Sequence, residues 1–237
     1  SGMVRYAGPA AAEVVSHWPE VVAAPSVQTA GRVQAWVIGP GLGTDEAALT
    51  ALTVVLNSDL PVIVDADALT VLAAHPHLVA DRDAPTVLTP HAGEYARFGL
   101  GPVGAGRVAA ARGLAEALGA TVLLKGNVTV IAGPDLSYLN PAGGSWAATA
   151  GSGDVLSGII GALLAGGVGL LWSIFAFTAS SPPASSAQPA AGPASSVTNI
   201  GVMSPGAQVN PVDQWVGTAG RKLAQYENER EEQGRLN

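Results

Sequence analysis

No cysteine occurs among the 237 residues. That excludes a disulfide framework and a thiolate metal site, and leaves the redox compartment open. Charge is scarce as well: Asp, Glu, Lys and Arg together make up 12% of the chain, and the balance is acidic, with a net charge of −7. Nucleic acid as the main partner is argued against, because it demands dense positive charge. An anionic ligand would have to be met by backbone dipoles and a few placed cations. Aromatic residues are only 5%; Ala, Val, Leu and Gly dominate, a composition for helices packed tightly on a sheet. The opening Ser1-Gly2-Met3-Val4-Arg5-Tyr6 has neither the basic start nor the apolar core of a secretory signal, so the expected location is cytoplasmic.

One uncharged stretch, Val155 to Phe177, is long enough to raise the question of a membrane span. It follows a polar Gly-Ser-Gly-Asp turn and holds glycines at 158, 161, 166, 167 and 169. Its first half is therefore read as a buried core helix ending near Gly166-Gly167, and no membrane association is expected.

With 48% hydrophobic residues, there is ample material for one large α/β domain, alone or followed by a tail. Short β-rich runs alternate with helical patterns. Val33 to Ile38, Pro61 to Val64, Thr86 to Leu88 and Thr121 to Leu124 read as strands. Between them, Thr44-Asp45-Glu46 reads as a helix start, and Val108 to Leu118 as an amphipathic helix stopped by Gly119. Val128 to Ala132 and Ser137 to Leu139 form an expected hairpin around Gly133-Pro134-Asp135. This alternation predicts an α/β fold with a mainly parallel sheet and helices on both faces. Polar motifs follow the strand ends repeatedly, and the C-terminal edge of such a sheet is where ligands bind. Gly43, His91, Lys125 and Asp154 are thus expected to converge.

The strongest single motif is Ala148-Thr149-Ala150-Gly151-Ser152-Gly153-Asp154, directly before the apolar run. Gly151, Ser152 and Gly153 let the backbone turn tightly, and a helix starting there aims its free N–H groups at the turn. Asp154 then either caps that helix or takes a proton from a substrate hydroxyl held beside a phosphate. Asp65 and Asp67 follow a strand and offer carboxylates to a magnesium ion or its waters, although Asp67 is read in preference as the cap of a helix beginning near Ala68. His91 can hydrogen-bond a substrate amide or be a plain loop residue. Glu94 can hold a metal-bound water or simply favour a helix start. Lys125-Gly126-Asn127-Val128-Thr129 offers a cation, a permissive glycine and a hydroxyl to nucleotide phosphates, or is an ordinary turn. Asn140-Pro141-Ala142-Gly143-Gly144 reads first as a turn.

In order along the chain, Gly39-Pro40-Gly41-Leu42-Gly43, Asp65-Ala66-Asp67-Ala68-Leu69, Thr89-Pro90-His91-Ala92-Gly93-Glu94, Leu124-Lys125-Gly126 with Thr129, Asn140 to Gly143, and Ala148 to Asp154 resemble the ADP/ATP-dependent NAD(P)H-hydrate dehydratases of the ribokinase-like superfamily. The resemblance covers about Met3 to Leu170. Thr-Pro-His-x-Gly-Glu is its specific element, since kinases of the superfamily tend to have Asn in place of His91. It implies a three-layer α/β/α fold and a lyase that repairs hydrated NADH or NADPH (the S epimer). ADP or ATP with Mg2+ would phosphorylate the hydroxyl of the hydrated ring, and loss of phosphate would restore the cofactor. Asp154 would be the base and bind substrate. The N–H groups of Gly151, Ser152 and Gly153 would stabilise the transferring phosphoryl group. Lys125, Gly126, Asn127, Val128 and Thr129 would lie along the nucleotide, and Gly43 and His91 against the hydrated cofactor. No resident protein-bound metal is expected.

The same resemblance implies an N-terminal truncation: an earlier strand and glycine turn, with an alanine contact to the cofactor, would precede Met3. It also ends early. No Asp, Glu, Lys or Arg occurs between Asp154 and Asp213, and residues from Trp172 onward do not resemble the family's closing helices. Residues 1–170 are read as the nucleotide- and substrate-binding domain and 171–237 as a divergent tail. Ser180 to Val209 is expected to be mobile, for want of side chains to bury, and Arg221 to Arg235 to be a charged, fraying helix. Uncovered sheet edge and helix face would then drive self-association into a homo-oligomer. Two other functions stay open: a kinase of a small vitamin-precursor alcohol, and a nucleotide-binding protein without turnover.

Overall fold

A computed structural model describes residues 3–80, 82–133, 137–140 and 149–167. The chain begins with strand β1 (Arg5–Ala7), helix α1 (Ala11–His17) and strand β2 (Val22–Ala24), and β1 and β2 pair in parallel as a separate two-stranded sheet. The main layer follows: β3 (Trp36–Ile38), α2 (Glu46–Leu56), β4 (Val62–Val64), α3 (Ala66–Ala74), α4 (His77–Ala80), β5 (Thr86–Leu88), α5 (Ala92–Tyr95), α6 (Arg107–Leu118), β6 (Thr121–Leu124), β7 (Thr129–Ala132), β8 (Ser137–Asn140) and α7 (Ser152–Ala165). Strands β3 to β8 form one sheet in sequence order. The first four run parallel, and the β6–β7–β8 part is antiparallel.

The alternation read from the sequence holds, and the physical reason is visible in the pleat. Successive side chains of a strand point to opposite faces. Val62, Val64, Leu88, Val122, Leu124 and Val130 therefore enter one core with α2, α3 and α6. Ile63, Val87, Leu123 and Ile131 enter the other, where Ile160 and Leu164 of α7 cover them. Both faces are buried, which is why these strands read as unbroken apolar runs. The strand predicted over Val33 to Ile38 is shorter than expected. Ladder pairing starts only at Trp36, whose N–H donates to the Pro61 carbonyl.

Local signals set the helix ends. Asp45 caps α2 by accepting the Ala48 N–H. Gly119 ends α6 in the left-handed conformation, at φ 61°. Helix α7, the core helix read from the apolar run, ends at Ala165 with Gly166 as its C-cap, as expected. No helix among the described residues is long and apolar enough to cross a membrane. The turn residues Pro134 and Asp135, the run 141–144 and the segment 171–237, including Ser180 to Val209 and Arg221 to Arg235, lie outside the described residues.

Helix α7 approaches the sheet closely because of a missing side chain. A Cβ on Gly161 would overlap the Val37 side chain, whereas Gly158 on the same helix faces open space. The two glycines should respond oppositely to substitution. Gly161→Val should lower stability by about 1–3 kcal/mol through overpacking. Gly158→Ala should raise it by about 0.5–1 kcal/mol, because glycine is the poorer helix former. Thermal melts of the two variants check both signs.

Candidate active site

The C-terminal ends of β3, β4, β5 and β6 carry the motifs singled out above, and the structure brings most of them to one edge. Asp65 follows β4 and is fully buried. Its Oδ1 accepts the Ala66 N–H at 2.9 Å and the Lys125 ammonium at 2.8 Å. Its Oδ2 accepts the hydroxyl of Ser157 at 2.7 Å, and Ser157 is itself fully buried. The crowding here is backbone-deep. A Cβ on Gly39 would overlap the Asp65 carbonyl. Ala66 has φ 46°, the one positive φ of a non-glycine among the described residues, a conformation that costs a residue with a side chain about 1–2 kcal/mol.

This arrangement corrects the sequence reading of the aspartates. The helix starts at Ala66, and its cap is Asp65. Asp67 lies in the first turn, and its Oδ2 instead accepts the Gly43 N–H at 2.9 Å. Gly43 has φ 78° and open space where a Cβ would be. With its N–H spent on Asp67, it offers a ligand a bare Cα surface.

His91 caps the short helix α5 with its ring. Nδ1 accepts the N–H groups of Gly93 at 2.9 Å and Glu94 at 3.2 Å, while Glu94 Oε2 accepts the His91 N–H at 2.8 Å. This reciprocal pair is a capping box. An Nδ1 that accepts twice carries no proton, so in the neutral ring Nε2 holds it and is the donor. Nε2 lies 3.6 Å from Glu94 Oε1, and the ring is more than half exposed. Glu94 serves the helix start, as one of its two readings held, and is buried.

Backbone pairing carries His91 to the next motif. His91 and Lys125 form an isolated parallel bridge, and the Lys125 N–H donates to the Pro90 carbonyl at 2.7 Å. The Lys125 ammonium then sits between two carboxylates, 2.8 Å from Asp65 and 3.7 Å from Glu94. It also reaches α7: a Cβ on Gly153 would lie 3.3 Å from Lys125 Nζ. The turn after Lys125 is held by a residue the sequence reading passed over. Arg107 donates to the carbonyls of Leu124, Lys125 and Val128, and burial pushes its guanidinium below its ordinary pKa. A Cβ on Gly126 would press on that guanidinium. Asn127 is exposed and Val128 half-buried, and Thr129 Oγ1 donates to the Gly126 carbonyl at 3.3 Å. Ser157 was missed too; no motif announces a serine inside an apolar helix. Nor did any local pattern announce Arg107, one residue before the expected start of its helix.

The glycine turn behaves as its residue types demand. Gly151 caps α7 at φ 83° with no side-chain hydrogen bond. The Val155 N–H closes the first helical bond on the Gly151 carbonyl, and the Ser152 N–H turns back to Thr149. The N–H groups of Gly153 and Asp154 precede that first helical bond and have no partner inside the helix. Asp154 is exposed in this first turn and does not cap. Four motifs distant in sequence are thus linked by contact or hydrogen bond: the Asp65 cap, the His91–Glu94 box, Lys125 and the start of α7.

A family profile described as NAD(P)H-hydrate dehydratase matches residues 1–196. The chain is 72% identical over 169 residues to the bifunctional NAD(P)H-hydrate repair enzyme Nnr of Mycobacterium tuberculosis, covering 71% of this chain and 36% of that protein. It is 44% identical over 165 residues to the ADP-dependent (S)-NAD(P)H-hydrate dehydratase of Neisseria meningitidis, covering 65% and 56%. Among solved structures, the ADP/ATP-dependent NAD(P)H-hydrate dehydratase of Bacillus subtilis, co-crystallised with ATP/Mg2+ and soaked with CoA, aligns with a TM-score of 0.59 at 32% identity, covering 69% of this chain and 63% of that one. The chain spans about a third of the mycobacterial relative's length and just over half of the neisserial one's. The profile match over most of the sequence and the shared fold place the chain in the NAD(P)H-hydrate dehydratase family.

Proposed function

We propose that this chain carries out the ADP- or ATP-dependent dehydration of the S epimer of hydrated NADH or NADPH. The observation that carries the reading is the backbone bridge between His91 and Lys125. It sets the motif that separates this family from its kinase relatives beside a cation that touches the first turn of α7. The names of the mycobacterial, neisserial and Bacillus relatives support the hydrated-cofactor substrate, and those of the neisserial and Bacillus proteins support the ADP or ATP donor.

The residues divide the work by chemistry. The substrate hydroxyl attacks the terminal phosphorus of the nucleotide, so a new O–P bond forms as the bridging O–P bond breaks. Asp154 takes the hydroxyl proton; its exposure leaves it open to a bound substrate. The N–H groups at the glycine turn Gly151 to Gly153 meet the charge on the transferring phosphoryl oxygens. Lys125 adds a positive charge to the same place, and the turn from Gly126 to Thr129, fixed by Arg107, runs along the nucleotide. Gly43 lets the cofactor approach the backbone, and the His91 Nε2–H donates to an acceptor on it. Phosphate then leaves with the C–O bonding pair, pushed by the ring nitrogen lone pair. A proton lost from the neighbouring ring carbon to the departing phosphate or water leaves its electrons as the C=C bond that restores the dihydropyridine ring.

Magnesium fits this donor set as an ion carried on the nucleotide. Among the described residues, no three His, Cys, Asp or Glu side chains cluster into a metal cage. One ammonium shared by the buried carboxylates Asp65 and Glu94 leaves negative charge uncompensated where an anionic nucleotide must sit. A phosphate-borne magnesium needs only one or two protein carboxylates, and Glu94 would supply one. Bound there, it would neutralise charge on the phosphate oxygens.

The direct test is to incubate the chain with S-hydrated NADH, Mg2+ and either ADP or ATP, and follow recovery of the dihydronicotinamide absorbance. Recovery with at least one nucleotide is expected; none with either overturns the reading. Within an active protein, Asp154→Asn should reduce turnover by about 10²–10⁴-fold with nucleotide affinity retained, since it keeps shape and loses the base. Near-normal rates would remove Asp154 from the role of base. His91→Asn should weaken the hydrated cofactor more than ADP or ATP. The Asn carbonyl can still cap α5, but the Nε2 donor is gone. Calorimetric titration with each ligand separates the two losses.

A further inference from the structure

Asp65 is the most heavily used side chain at the sheet edge, and the steps above give it nothing to do. Three donors from three parts of the chain converge on its carboxylate: the Ala66 N–H, the Lys125 ammonium and the Ser157 hydroxyl. It is fully buried, so it touches no solvent and offers a ligand no surface. An ionised carboxylate in such a place is expensive unless it is paired and hydrogen-bonded. Helix capping alone does not require the expense, because Ser or Thr would cap α3 without a charge. What the charge adds is its hold on Lys125.

Lysine is otherwise a poor fixed point. Its ammonium rides on a flexible stem and gains no planar fork to orient it. Here the Asp65 bond of 2.8 Å fixes one N–H direction, and Glu94 at 3.7 Å lies on the same ammonium. Gly153 closes the third side, since its absent side chain leaves Nζ and Asp65 Oδ2 within 3.3 Å and 3.9 Å of where a Cβ would be. Ser157 is one turn along the helix that carries Asp154 and the glycine turn. Its hydroxyl ties that helix to the same carboxylate.

We propose that Asp65, tied to α7 through Ser157, is a positioning residue that aims the Lys125 ammonium at the first turn of α7, where the terminal phosphate of the nucleotide is held. The proposal rests on the reading of that turn given above. It separates two kinds of contribution to nucleotide affinity. Contacts to the adenosine moiety do not depend on Asp65. The added affinity due to phosphate does, and only through Lys125.

The experiment measures ADP and adenosine binding by calorimetry to the full 237-residue chain and to Asp65→Asn, Lys125→Ala and the double variant. Asp65→Asn should weaken ADP by about tenfold or more, the scale of a hydrogen bond to a charged group, with adenosine affinity unchanged. Lys125→Ala should do the same, and the double variant should bind ADP no more weakly than Lys125→Ala alone, since residues that act through one contact are not additive. Parallel losses for ADP and adenosine, or additive losses in the double variant, overturn the proposal and leave Asp65 a structural cap. If Asp65→Asn does not fold, Ser157→Ala decides. It keeps both charges and should weaken ADP a few-fold, again with adenosine unchanged; an unchanged ADP affinity overturns the proposal. A wild-type chain that binds ADP but fails to restore hydrated NADH overturns the functional reading, and the ADP-to-adenosine ratios still judge Asp65. A wild-type chain that binds neither ADP nor ATP overturns both, and one that binds ATP alone is judged by the same ratios with ATP in place of ADP.

Discussion

A carboxylate with no access to water has to be balanced inside the protein, and at Asp65 the balance is struck by side chains from opposite ends of the fold. Lys125 arrives from the end of β6 and Ser157 from α7, while Asp65 itself caps α3 after β4. The attraction is strong because the surroundings are dry. Removing one partner would leave the others unsatisfied, so the three elements are held in one relative position. Gly39 and the left-handed Ala66 are consequences of the same crowding. Strain of this kind persists where the surroundings over-determine the backbone, and such places cluster at functional sites.

The two faces of the sheet then take different tasks. One face packs α2, α3 and α6; α3 fixes the cap Asp65 and the first-turn Asp67, and α6 begins with Arg107. The other receives α7 alone among the described helices, pressed close by Gly161. The helix that carries the glycine turn is thus seated by its apolar side and registered by a buried hydroxyl. Its first-turn N–H groups are delivered to the edge where Lys125 waits. The phosphoryl transfer proposed for this chain would ask mainly for positioning and for charge placed in advance, and a rigid seat would serve the positioning.

Much of this was legible in the residues. The strand ends, the Asp45 helix start and the Gly119 stop obey local rules, because pleat, cap and left-handed turn are set by neighbours in sequence. Gly43, His91, Lys125 and Asp154 were expected together because their motifs follow strand ends or open a helix at the ligand-binding edge of a parallel sheet. His91 and Lys125 meet there through a backbone bridge, and Gly43 is tied to Asp67. The aspartates were not legible. Asp65 and Asp67 stand two residues apart in one motif, and either can cap a helix. What separates them is a lysine 60 residues away and a serine 92 residues away for Asp65, and a glycine 24 residues away for Asp67. The strand at Trp36 was overestimated for a related reason: apolar residues allow a strand, and only a partner's carbonyl begins its ladder.

Local chemistry therefore determined the order of elements, the alternating burial of the strands, the glycine turn before α7 and the family to which the motifs belong. Tertiary structure decided which carboxylate is a cap and which a tether, which His91 nitrogen accepts the cap hydrogen bonds, and that Arg107 and Ser157 hold the sheet edge. The division has one physical reason. Backbone propensities act over a few residues and leave a periodic trace in the sequence. A hydrogen bond between side chains acts over 3 Å of space, and the number of residues between its ends leaves no trace to read.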